Sequence, residues 1–178
     1  EGKTQSPINI SNSKVESGFQ WNINYKKSPL KITHNEHVDD IVDNGHTIQV
    51  TVEEGSTFIL NGKTYHLKQF HFHTPSEHTL DGKHFPMEMH FVHQSDSGQF
   101  AVLGVFVEEG EVNKNLEKII SNLPDKKGES KHVKDTELSL QFHLPKTNEA
   151  YHYIGSLTTP PCSERVEWLV FKHIVQAS

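Results

Sequence analysis

The sequence predicts a mainly β domain of antiparallel sheet, and three observations carry that expectation. Short runs of β-branched and aromatic residues recur along the 178 residues. The turn dipeptides Asn44-Gly45 and Asn61-Gly62 stand between several of these runs, as in hairpins. Only one segment places its apolar residues at helical spacing.

In chain order, residues 41–42 precede Asn44-Gly45, and residues 47–52 and 56–60 precede Asn61-Gly62. Runs at 64–73, 87–93, 99–107, 151–154 and 167–171 follow, which makes eight strands or more. The helix is expected where Leu116, Ile119, Ile120 and Leu123 follow a cap at Asn113, with Pro124 stopping the run. The charged residues 125–135 read as a solvated loop without chemistry. No internal repeat, low-complexity tract or linker divides the chain, so a single domain over 1–178 is expected.

Composition removes several functional classes. Seventeen basic residues against 23 acidic ones give a net charge of −6, which offers no field for a phosphate backbone and argues against nucleic acid as a partner. The longest apolar runs, such as 101–107, are strand-sized and far short of the roughly 20 residues that cross a bilayer as a helix. Ten Phe, four Tyr and two Trp, spread along the chain, argue against disorder. The chain opens on Glu1 without an apolar leader, so a targeting segment is expected to have been removed or left out. Asn9-Ile10-Ser11 matches the short glycosylation sequon, a weak signal by itself.

Histidine stands out, with 14 residues. Side chains alternate along a strand, so Gln69, His71 and His73 share one face while Phe70 and Phe72 take the other. In the run Met87-Glu88-Met89-His90-Phe91-Val92-His93, parity groups Glu88, His90 and Val92 against Met89, Phe91 and His93. If Phe70, Phe72, Met89 and Phe91 form one hydrophobic face, His90 joins His71 and His73, and His93 falls on the wrong side. Three nitrogen ligands with a fourth position open for water match catalytic zinc. The single cysteine excludes a sulfur-rich structural cluster, and imidazole favours zinc, copper, nickel or cobalt over magnesium or calcium. Histidines that merely face solvent from two adjacent strands would give the same His-x-His pattern. Conditional on a metal, Glu88 and Gln69 are the outer partners that fix the tautomers of His90 and His71.

Beyond these local patterns, the chain resembles the α-class carbonic anhydrases over nearly its whole length. The resemblance rests on Gln5-Ser6-Pro7-Ile8-Asn9-Ile10, Asn44-Gly45-His46, Gln69-Phe70-His71-Phe72-His73, Pro75-Ser76-Glu77-His78, Glu88-Met89-His90-Phe91-Val92-His93, residues 101–106 and residues 155–164. The Cys-Ser-Glu ending at 162–164 is similar to bacterial secreted members. It implies a central twisted, mostly antiparallel sheet with a few short surface helices. It also implies reversible hydration of carbon dioxide to bicarbonate and a proton by a zinc-bound hydroxide. Carbonic anhydrase is itself the reference case in which zinc lowers the pKa of water from about 15.7 to about 7.

Residue by residue, the resemblance implies zinc ligation by His71, His73 and His90, with Gln69 and Glu88 behind them. It makes Thr158 the residue that accepts a hydrogen bond from the hydroxide and passes its own proton to Glu77. His46 matches the proton shuttle, a task suited to a side chain with an ordinary pKa of about 6.5. Val92, Val102, Leu157, Val166 and Trp168 match the apolar wall for carbon dioxide, and Thr159 its polar side. Sulfonamides and anions are the expected inhibitors, and a homodimer is compatible with the reading. Cys162 matches the second half of a family disulfide whose partner would precede Glu1, which implies a periplasmic or secreted protein. Set beside the family, the chain is expected to lack its N-terminal segment and a C-terminal region that supplies a strand and a backbone acceptor for one ligand. Two other readings are a non-catalytic binding module on the same scaffold and a carbohydrate-binding β protein with a structural metal.

Overall fold

A computed structural model describes residues 2–11, 20–26, 30–35, 47–126, 128–133, 149–159 and 162–178. In chain order the strands are β1 (Asn9–Ile10), β2 (Trp21–Asn24), β3 (Leu30–Asn35), β4 (Thr47–Val52), β5 (Thr57–Leu60), β6 (Lys63–His73) and β7 (Thr79–Leu80). They continue with β8 (Met87–Gln94), β9 (Phe100–Glu109), β10 (Ser130–Val133), β11 (Ala150–Ser156), β12 (Glu164–Phe171) and β13 (Val175–Ala177), and one helix, α1 (Lys114–Ile120), follows β9. The main sheet runs β10-β3-β4-β6-β8-β9-β12-β11, with β5 and β2 continuing beside β6 and β13 beside β9. Most pairings are antiparallel, but β12 and β13 both lie parallel to β9. The class is therefore mainly β, with a large twisted mixed sheet.

Parity organises the centre of this sheet. Leu103, Val105 and Val107 of β9, Met89 and Phe91 of β8, Phe70 and Phe72 of β6, and Leu169 and Phe171 of β12 enter one core. Val102 and Phe106, Val92, and Val166, Trp168 and Val170 enter a second cluster on the opposite face. The middle strands are thus covered on both sides, which explains the near-continuous apolar run of β9. A register shift between Leu67 and Gln69 lets β6 change parity. Leu67 and Tyr65 consequently pack into the same core as Phe70, while Gln69, His71 and His73 keep the other face. Bulges of this kind re-aim side chains beside functional sites.

The expected runs at 47–52, 56–60, 64–73, 87–93, 99–107, 151–154 and 167–171 all fall on strands, with ends displaced by up to three residues. Residues 41–42 and the Asn44-Gly45 turn lie outside the described residues. Two expectations need correction. Residues 130–133, expected in a loop, form β10 and pair with β3. Only Val133 of its four residues is buried, so an edge strand with three exposed polar positions carries no visible alternation. The helix stops at Ile120, capped by Ser121, and leaves Leu123 beyond its end. Ile120 is 54% exposed, so the buried stripe is Leu116 and Ile119. Asn113 is the N-cap and its side chain accepts from the backbone N–H groups of Asn115 and Leu116. This is the only helix among the described residues.

Candidate metal centre

His71 and His90 are register partners across β6 and β8, and His73 stands two residues along the same face. Their ring centroids lie 5.3 Å apart for His71 and His90, 4.8 Å for His71 and His73, and 4.7 Å for His73 and His90. One nitrogen of each ring lies within 4.8 Å of the others. Opposite His90 on β9 is Gly104, where a Cβ would stand 3.6 Å from Glu88 Oε2 and 3.3 Å from Val170. The missing side chain leaves this space to Glu88 and Trp168.

Hydrogen bonds select the nitrogens that face the centre. His71 Nδ1 is 2.8 Å from Gln69 Oε1, an acceptor, so Nδ1 carries the proton and Nε2 is left with its lone pair. His90 Nε2 contacts Glu88 Oε2, which leaves Nδ1 of His90 for the centre. Glu77 closes one side: its Oε1 lies 3.0 Å from His73 Nε2 and 3.6 Å from His90 Nδ1. That oxygen is shielded from solvent and has no hydrogen-bond donor of its own. Three imidazole nitrogens and a shielded acceptor around one point form a donor set suited to a divalent ion such as zinc.

Electrostatics follow from burial and neighbours. Burial pushes the His71 imidazole well below its ordinary pKa, and nearby His90 and His73 add to the effect. Burial also lowers the affinity of His90 for a proton, but Glu88 outweighs it and raises the pKa. Burial favours the neutral acid at Glu88, yet His90 and hydrogen bonds from His78 and His90 overcome it and hold the carboxylate ionised. Glu77 is raised, chiefly by burial, against the pull of His90 and a hydrogen bond with Thr158.

The other expected site residues take these places. Thr158 is half-buried and bonded to Glu77, and Thr159 is exposed. Val92, Val102, Val166 and Trp168 form one apolar cluster, with Leu157 packed against it. Trp168 meets the His90 ring edge-on at 4.9 Å and the His78 ring at 4.7 Å. His93 is buried on the opposite face, in contact with Tyr25 and Ala101. His46 lies outside the described residues. Sequence reasoning assigned no role to His78, whose Nδ1 is 2.7 Å from Glu88 Oε2, or to Tyr153, whose hydroxyl is 2.5 Å from His78 Nε2. His78 follows Glu77 within Pro75-Ser76-Glu77-His78, one of the segments that carry the family resemblance, and that is its signal in the sequence; Tyr153 has none.

Comparison with known proteins places this geometry in a wider set. The family model for eukaryotic-type carbonic anhydrases matches residues 1–178. A carbonic anhydrase of Pectobacterium carotovorum is 41% identical over 177 residues, covering 99% of this chain and 68% of that protein. One of Neisseria gonorrhoeae is 43% identical over 180 residues, covering 99% of this chain and 67% of that protein. The solved structure of the α-carbonic anhydrase from Thermovibrio ammonificans, in complex with the inhibitor sulfanilamide, is similar with a TM-score of 0.90 at 41% identity. It covers 99% of this chain and 75% of that one.

Proposed function

The chain belongs to the eukaryotic-type carbonic anhydrase family, and from that premise we propose that it hydrates carbon dioxide reversibly to bicarbonate and a proton with zinc as its cofactor. The observation that carries the reading is the convergence of His71, His73 and His90, with Gln69 and Glu88 turning two of the rings so that a lone pair faces the centre. Zinc bound there supplies Lewis acidity, lowering the pKa of water to about 7, as in the carbonic anhydrases that define this effect.

The chain's own residues do the rest. Where zinc binds, His71 Nε2, His73 Nε2 and His90 Nδ1 would hold it. Thr158 donates its hydroxyl hydrogen to Glu77, so its oxygen is left to accept an O–H of the attacking water and turn that water's lone pair toward carbon. Val92, Val102, Leu157, Val166 and Trp168 offer an apolar wall to a substrate with no strong hydrogen-bonding group. Thr159 borders the polar side. His46 accepts the released proton and passes it to buffer. A primary sulfonamide is expected to compete at the same centre, and export to the periplasm or medium belongs to the same proposal, supported by the motif position of Cys162.

Stopped-flow hydration of carbon dioxide with a pH indicator tests the reading. Zinc-loaded protein is expected to exceed the buffer rate and to lose that excess when a sulfonamide is added. A zinc-loaded, folded protein with no rate above buffer would refute it.

A further inference from the structure

Thr158 lies in the connection between β11 and β12, and two backbone bonds close that loop. Leu157 N–H donates to the Ser163 carbonyl at 2.9 Å, and Cys162 N–H donates to the Thr159 carbonyl at 2.9 Å. Cys162 takes a left-handed conformation, with φ of 54°. The carbonyl that holds Leu157, the neighbour of Thr158, therefore belongs to the residue just before Glu164.

An irregularity at the start of β12 aims Glu164. Gly155 pairs with Val166 but Ser156 pairs with Glu164, so Arg165 is an extra residue without a partner position on β11. Its φ is 63°, the left-handed conformation that a bulge of this kind ordinarily gives to glycine. Glu164 and Arg165 are consequently both exposed, while Val166 enters the core. Glu164 meets the amino-terminal segment there: its Oε1 accepts Thr4 N–H at 2.7 Å, Thr4 Oγ1 at 3.1 Å and Gln5 Nε2 at 3.2 Å. The Thr4 N–H first, then Gln5 Nε2, the Thr4 hydroxyl and the Lys3 N–H, hold the carboxyl below its ordinary pKa. Successive backbone N–H groups on one carboxylate make a charge-assisted clamp. Gly2 closes round the same oxygen, and a Cβ there would fall on Glu164 Oε1 and stand 2.6 Å from Glu164 Cδ.

We propose that Glu164 is a positioning residue for Thr158: the bulge at Arg165 aims its carboxylate into the cradle of residues 2–5, which pins the second stem of the loop, so that the Ser163 carbonyl holds Leu157 and Thr158 keeps its hydroxyl on Glu77. The inference rests on the reading of Thr158 as the group that orients the attacking water. Among the described residues the side-chain bonds of Glu164 all go to residues 3–5, so the latch acts on the Thr158 loop and leaves the metal ligands alone.

The test compares the zinc-loaded parent with Glu164→Ala, Glu164→Gln, Gly2→Ala, Arg165→Val and Arg165→Gly. Three quantities are read: kcat/KM for hydration, zinc affinity by chelator competition, and hydrogen exchange of the Leu157 and Cys162 amides by NMR. Glu164→Ala and Gly2→Ala are expected to lower kcat/KM about tenfold, since a small displacement of an orienting group is costly. Exchange at the two amides should become about tenfold faster or more as the stem opens, with zinc affinity within about twofold of the parent. Glu164→Gln keeps an acceptor for the Thr4 N–H and should recover most of the loss. Arg165→Val, whose branched side chain disfavours a left-handed backbone, should behave like Glu164→Ala, and Arg165→Gly like the parent. Folded Glu164→Ala and Gly2→Ala proteins with parental kcat/KM and parental exchange would overturn the proposal, as would zinc affinity falling in step with activity. Faster exchange with parental kcat/KM in Glu164→Ala, where Thr158→Val is slow, would overturn it as well. If the parent shows no rate above buffer, or Thr158→Val keeps the parental kcat/KM, the hydration reading of Thr158 falls, while faster exchange at both amides in Glu164→Ala still supports the latch.

Discussion

The hydroxyl of Tyr25 lies 2.5 Å from His93 Nε2 inside the core, on the face of β8 turned away from His90. Nδ1 of the same ring is 3.0 Å from the Ala101 carbonyl oxygen, which can only accept, so His93 is held neutral with its proton on Nδ1. Burial lowers its pKa to about 4 against its hydrogen bonds to the Ala101 and Phe91 backbone.

Acid sensitivity follows from that depression. Between an unfolded value of about 6.5 and the folded value of about 4, the unfolded chain binds more protons, so stability falls as the pH drops through this window. Below it the folded state takes up the proton too and the loss levels off, at about 3 kcal/mol from this group. Denaturant titrations at pH 7 and pH 4.5 should show a smaller difference for His93→Gln than for the parent; equal differences would remove His93 as the cause.

Glu88→Gln tests the orientation of His90. The amide keeps the shape but presents a weaker acceptor to His90 and His78, so zinc affinity should fall by about 10- to 100-fold with circular dichroism unchanged. Chelator competition reads the change.

Thr158→Val keeps the shape of the side chain and removes the hydroxyl that bonds to Glu77, the group proposed to orient the attacking oxygen. Zinc content should stay the same while kcat/KM for hydration drops about 100-fold. A variant with parental kcat/KM would show that Thr158 does not orient the nucleophile.

Phe70 is fully buried and stacks on Phe91 with ring centroids 5.2 Å apart, directly behind His71 and His90. Phe70→Ala should cost about 3 to 5 kcal/mol in urea unfolding. A loss below about 1 kcal/mol would mean that the core collapses to fill the space.

Legibility in the sequence followed from how local each signal was. His71, His73 and His90 could be grouped from alternation because β6 and β8 keep strict parity over these residues and Phe70, Phe72, Met89 and Phe91 share one core. The same rule would have misplaced Leu67, since the register shift before Gln69 changes the face and nothing in composition marks it. β10 escaped notice because an edge strand needs no apolar alternation, and β1 and β7 because two residues are too short to show any. Tyr153 was invisible as a site residue: it stands 75 positions from His78, and only the antiparallel pairing of β11 with β12 and their place beside β9 bring the two together. Glu77 and Thr158 came from the family resemblance alone, because an isolated acid and a turn threonine carry no pattern.

Anomalous X-ray scattering at the zinc edge tests the central claim most directly. Crystals of zinc-loaded protein should show one strong peak per chain, about 2.0 to 2.1 Å from His71 Nε2, His73 Nε2 and His90 Nδ1. A map without that peak, or with zinc bound away from these three nitrogens, would contradict the account.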